Sequence, residues 1–284
     1  MPSNNAAIDS RGPGGDGRPA AVDASTIDAG RSYGTDRSQF FGASRCAQLG
    51  AMLCEDFEAG AIDTSTWSVV GTTPVIDTMQ AARGSHALHI RMAPSGTSPT
   101  ANGASYLENT TLFPALKGGY YARAFIYFAN LPAGPDYAHW TAFASTTSHG
   151  EIRLSGQYQS NKSLWGAGTD SGSNTTTGTG DWTTNDNDPA GSPRAVPTGE
   201  WMCLEWMHDS TNDKTTFWWD ATEHASLDTT TIKHGGNTNP YTISDITGVW
   251  FGWQEYQPRV NSPQLYEAWI DELAVDTKRI GCVD

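Results

Sequence analysis

At 284 residues the chain can hold one large domain with a tail, or two small ones. Its formal charge of −14, with only five lysines, excludes the basic face that a duplex nucleic acid needs to neutralise its phosphates. Hydrophobic residues make up 37%, and 30 Gly with 15 Pro favour many short strands joined by turns over long helices.

Residues 1–44 are rich in Gly, Ala, Ser, Asp and Pro, with almost no large apolar side chains before Phe40 and Phe41. Such a stretch buries too little surface to offset its ordering entropy, so it reads as a flexible tether ahead of a domain over 45–284. No charged-then-apolar leader opens the sequence, so any export signal is expected to have been removed. No apolar run reaches the ~18 residues of a membrane-crossing helix. Cysteines stand at 46, 54, 203 and 282, without the C-x-x-C spacing of a zinc or redox site. Of the three possible pairings, Cys46–Cys54 with Cys203–Cys282 is preferred: one closes a short loop, the other ties a central strand to the last. Disulfides place the chain in an oxidising compartment, secreted or at the cell surface, where the tether could carry a lipid anchor.

From Cys46 onward strand follows strand. MLCEDFE (52–58), HALHIRM (86–92) and GYYARAFIYF (119–128) alternate with period two. HWTAFAS (139–145), EIRLSGQYQ (151–159), WMCLEWMHD (201–209), TTFWWD (215–220), GVWFGWQEY (248–256) and LYEAWIDELAVD (265–276) continue the series. Residues 170–200 read as a polar surface excursion, and 222–228 as the best candidate for a short helix. Regular short strands with turns between them indicate an all-β sandwich of two antiparallel sheets, a β-jelly roll.

Three groupings could carry chemistry. Glu58, a backbone carbonyl near Gly84 and Ser85, and Asp271 meet if the first and last strands pair, and hard oxygens of this kind suit a structural Ca²⁺. The plainer alternative makes Asp56, Glu58 and Asp271 edge-strand solubilisers. The polar positions on central strands are Arg123, His139, Arg153, Gln157, Tyr158, Glu205, Glu255, Tyr256 and Gln257. A β-eliminating lyase neutralises a uronate carboxylate with Arg or Gln, removes the C5 proton with His or Tyr, and protonates the leaving oxygen with Tyr. Arg153 and Gln157, four residues apart, share a face of an unbroken strand, while Arg123 could instead pair with Glu205 or Glu255 in a buried network. The paired carboxylates of a glycosidase are poorly represented: Glu205 and Asp209 are the nearest approach, and QEYQ offers only Glu255. Among eleven tryptophans, Trp201, Trp206 and Trp250 are expected in the core, whereas Trp140, Trp165, Trp182, Trp253 and Trp269 supply candidate sugar platforms. Serine-nucleophile and phosphate-loop signatures are missing.

The ordered set CEDFE, ARGSHALHIRM, YYARAFIYF, HWTAF, IRLSGQY, GEWMCLEWMHD, FGWQEYQ and WIDELAVDTKRIGC resembles a family of secreted bacterial proteins. That family is related to the fungal cellulose-induced protein and to glucuronan lyases. The likeness spans roughly 46–284, and W-x-C-x-E-W and D-x₇-R-I-G-C are its most specific parts. It implies a concanavalin-like β-jelly roll, with calcium at Glu58, Ser85 and Asp271. It further implies a cleft for uronic-acid polymers that includes His139, Arg153, Gln157 and Tyr256. The alginate-lyase motifs R-x-x-R, Q-I-H and Y-F-K-x-G are not reproduced. The resulting expectation is a monomeric polysaccharide lyase in which Arg153 and Gln157 hold the carboxylate. His139 or Tyr256 is then the base, and Tyr158 or Tyr256 the acid. Arg123, Trp140, Trp253, Glu255 and Gln257 complete the substrate surface. A non-catalytic carbohydrate-binding module and a glycoside hydrolase are the alternatives.

Overall fold

The computed structural model describes residues 31–92, 103–132, 138–159, 162–170, 181–184, 194–228, 243–256 and 265–284. In chain order the strands are β1 (Leu53–Glu55), β2 (Ser68–Gly71), β3 (Val75–Asp77), β4 (Ala87–Met92), β5 (Gly103–Asn109), β6 (Tyr120–Phe128), β7 (Ala138–Thr147) and β8 (Gly150–Gln159). They continue as β9 (Lys162–Asp170), β10 (Asp181–Thr184), β11 (Trp201–Asp209), β12 (Lys214–Trp219), β13 (Thr222–Glu223), β14 (Ile246–Tyr256) and β15 (Tyr266–Asp276). All pairings among them are antiparallel. An eight-stranded sheet runs β13-β12-β11-β6-β15-β4-β3, with β1 also on β15. A seven-stranded sheet runs β10-β9-β8-β7-β14-β5-β2. The expected helical segment near 222–228 contains a 3₁₀ turn, Ala225–Leu227. The expected 170–200 excursion includes β10, which pairs with β9.

Alternation sorts each strand between core and outside. In β6, Ala122, Ala124, Ile126 and Phe128 enter the inter-sheet core, while Arg123, Phe125 and Tyr127 occupy the opposite phase. Trp140, Trp165, Trp206, Trp219 and Trp253 fill that core with Phe128, Phe143, Phe217 and Phe251. Trp140 and Trp253 stack at 5.3 Å and 8°. Burying each large apolar side chain contributes roughly 1.5–3 kcal/mol. Gly156 admits this stack, because a Cβ there would fall 1.9 Å from Trp140 Cζ2. Trp140, Trp165 and Trp253 are therefore core residues and not sugar platforms, their rings being 0%, 0% and 1% exposed.

The outward face of the larger sheet is partly covered by the two ends of the described chain. Phe40 is buried against Phe125, Cys203 and Cys282. Arg31 bonds Asp276 at 2.5 Å, and Arg37 pairs with Asp220. Residues 31–44 thus belong to the folded unit, and the tether reading of 1–44 is corrected for that part; residues 1–30 lie outside the described set. Both preferred disulfides are present, Cys46–Cys54 and Cys203–Cys282.

Beneath this cover, Arg83 and Arg123 each place a guanidinium nitrogen 3.0 Å from Glu272 Oε2, all three side chains being closed to solvent. Carbonyls of Phe40, Gly281, Cys282 and Asp284 accept their remaining N–H groups. Burial, reinforced by neighbouring Arg123, holds Arg83 down to about 10. Arg123 is consequently a structural cation within the fold and makes no substrate surface. Its expected partners Glu205 and Glu255 are otherwise placed: Glu205 takes Arg279 at 2.8 Å and the Gly281 N–H, and Glu255 lies in the other sheet.

Candidate active site

The seven-stranded sheet turns a polar face away from the core. β8 is regular against β9, so Arg153, Ser155 and Gln157 share one side of it. The register of β7 shifts between Thr141 and Phe143, and Ala142 and Phe143 both pack in the core. That irregularity brings His139 and Thr141 onto the same side as Ser155 and Gln157. His139 Nε2 lies 3.1 Å from Gln157 Oε1, and Thr141 Oγ1 lies 2.8 Å from Ser155 Oγ. Gln254 of β14 stands opposite Thr141, and Tyr256 opposite His139. Although they point away from the core, Thr141 and Ser155 are 1% exposed and Gln157 is 7% exposed, so these groups line a shielded trough. Burial holds the His139 imidazole below its usual range; the Gln157 bond opposes this, and the Arg153 charge adds to it. A neutral imidazole, two hydroxyls, amides and one guanidinium are thereby gathered with little competing water.

The trough collects part of the expected set. His139, Arg153 and Gln157 come together, with Tyr256 in register. Tyr158 follows Gln157 and so occupies the other face of β8, opposite Ala138 and Ser163, which removes it as a trough acid. Glu255 and Trp253 take the core phase of β14, where Glu255 is 0% exposed beside Tyr266. Gln257 lies outside the described residues. Thr141, Ser155 and Gln254 were missed; the signal that could have found them is the i, i+2 spacing from His139, Gln157 and Tyr256. Trp250, expected in the core, instead sits on the trough side of β14 beneath Tyr106, with ring centroids 4.4 Å apart.

The hydrolase carboxylates do not meet. Glu205 is held by Arg279 on the larger sheet, Asp209 accepts the Thr211 and Asn212 N–H groups in a turn, and Glu255 is in the core of the smaller sheet.

Glu58 and Asp271 both grip the 82–86 turn. Glu58 accepts from the Ser85 N–H at 2.7 Å, the Ser85 hydroxyl at 2.8 Å and the His86 N–H at 2.8 Å. Asp271 accepts from the Ala82 and Arg83 N–H groups at 2.8 and 2.9 Å. Gly84 permits the approach, since a Cβ there would lie 2.4 Å from Glu58 Oε1 and its φ is +67°. Two carboxylates and a hydroxyl around one turn form an all-oxygen donor set whose chemistry fits a calcium ion.

Comparison with known proteins supports this architecture. The cellulose-induced protein Cip1 is similar in structure with a TM-score of 0.56 and 21% identity, over 81% of this chain and 99% of that one. The alginate lyase vAL-1 from Chlorella virus has a TM-score of 0.51 and 10% identity, over 80% of this chain and 99% of that one. No family model and no curated protein sequence matches. At such identities the likeness concerns the fold, which is the concanavalin-like β-jelly roll.

Proposed function

We propose that this protein cleaves a uronate-containing polysaccharide by β-elimination. The observation that carries the reading is the shielded trough in which His139, Gln157 and Arg153 converge opposite Tyr256. Arg153 and Gln157 neutralise the uronate carboxylate, which acidifies the C5 proton. His139, kept neutral by burial, accepts that proton. The C5–H electrons form the C4–C5 double bond as the C4–O bond breaks, and Tyr256 returns a proton to the leaving oxygen. Thr141, Ser155 and Gln254 hydrogen-bond sugar hydroxyls. The two disulfides and the polymeric substrate agree with an extracellular location, secreted or at the cell surface. Among the described residues no helix is long and apolar enough to cross a membrane.

Incubation with glucuronan, alginate, ulvan and pectate should give ultraviolet-absorbing unsaturated ends from at least one polymer. New reducing ends without that absorbance would indicate hydrolysis and remove the lyase reading. The uncharged donors and acceptors of Thr141, Ser155 and Gln254 also suit a carbohydrate-binding module, for which the signature is glycan retention with no product.

We also propose that Glu58, Asp271 and Ser85 hold a structural Ca²⁺ that fastens the 82–86 turn to the last strand. A metal bound by the native state alone stabilises by mass action. Treatment with EDTA should lower the melting temperature by several degrees, and excess calcium should restore it. An unchanged melt removes the ion.

A further inference from the structure

Four rings from four strands occupy one register row on the outward face of the larger sheet. Trp201 of β11 stands opposite Tyr127 of β6, Tyr127 opposite Trp269 of β15, and Trp269 opposite His89 of β4. Consecutive ring centroids are 5.7, 5.6 and 4.0 Å apart. The row ends at Val75 of β3, which is exposed. Four strand intervals of about 4.8 Å give it a length of ~19 Å, running across the strands. Outward positions of a half-solvated antiparallel sheet are ordinarily polar, and these rings lie outside the inter-sheet core. Trp201 and Tyr127 remain partly exposed.

The polar atoms of the row point to what it takes. The Tyr127 hydroxyl and the Trp201 indole N–H have no hydrogen-bond partner among the described residues. His89 Nε2 is buried and also lacks one, standing 3.5 Å from Glu267 Oε1. The other polar atoms are tied down. Asp77 takes His89 Nδ1 at 2.5 Å and Trp269 Nε1 at 3.1 Å, and Glu267 takes Arg91 at 3.1 Å. Ring surface interspersed with unsatisfied polar atoms matches a ligand with apolar C–H faces and a hydroxyl rim. Two carboxylates beside the row, on a chain of formal charge −14, disfavour an anionic polymer.

We propose that the Trp201–Tyr127–Trp269–His89 row is a second, non-catalytic binding platform for an uncharged polysaccharide, on the sheet opposite the trough. It holds the protein against neutral glycan while the trough works on acidic chains. Its existence does not depend on the trough being catalytic.

Affinity electrophoresis in gels containing a soluble β-glucan, a xylan or a galactomannan tests it. Wild-type protein should be retarded by at least one of the three. The double substitution Trp201→Ala with Tyr127→Ala should weaken that binding about tenfold or more, the loss expected from removing two contacting rings. His139→Ala, which alters only the trough, should be retarded like wild type. Trp201→Phe with Tyr127→Phe keeps ring surface and should recover part of the retardation, separating a lost contact from a misfolded chain. Absence of retardation for wild type in all three gels overturns the proposal. So does retardation of the double alanine protein equal to wild type, or loss of retardation on His139→Ala alone.

Discussion

Glu272→Ala should destabilise the domain by about 3–5 kcal/mol, because it leaves two buried guanidinium groups without their shared carboxylate. Arg83 and Arg123 lie 3.0 Å from the same Glu272 oxygen, and burial already disfavours their charge. The neighbouring carbonyls can still accept hydrogen bonds, but they carry no net charge to balance the two cations. Urea unfolding measures the loss, and the melting temperature should fall by on the order of 10 °C. Glu272→Gln, which preserves an acceptor oxygen without the charge, should be destabilised as well. A loss below about 1 kcal/mol in the alanine protein would show that the carbonyl cage alone neutralises the pair.

His139→Ala should lower kcat on the uronate polymer by roughly 10²–10⁴-fold, the range associated with loss of a positioned base, while glycan retention persists. The pH profile of the native enzyme gives an independent check. A base works unprotonated, and burial holds His139 below the ordinary imidazole range. Activity should therefore be level through neutral pH and fall only as the solution becomes more acid than a free histidine would require. An acid limb above that range, or undiminished turnover in the alanine protein, would eliminate His139 as the base.

Much of the fold was legible because period-two alternation and turn residues recur from Cys46 onward. The phase of individual strands was harder to read. In GVWFGWQEY both phases carry tryptophan, so alternation alone could not tell whether Trp250 or Trp253 enters the core. Pairing with β5 and packing against Trp140 decide it, and both contacts are distant in sequence. Arg123 misled for a related reason: among Tyr121, Phe125 and Tyr127 it looks like part of a ligand face. Its anchor is Glu272, 149 residues away, a position that no local pattern marks. β9 was passed over because Gly166 and Gly168 depress strand propensity, which nine pairings with β8 override. His139, Arg153 and Gln157 were recoverable because β8 is unbroken. Thr141 stayed hidden because the β7 register shift moves it relative to Phe143.

The carbonyls that cage Arg83 and Arg123 have a temporal implication. Gly281 and Asp284 are 158 and 161 residues beyond Arg123, so they leave the ribosome long after β6 has emerged. Until then the guanidinium groups would have to stay hydrated, and the central strand of the larger sheet could not close on its outer side. Assembly of this domain is therefore expected to wait for synthesis of its final strand and the few residues behind it.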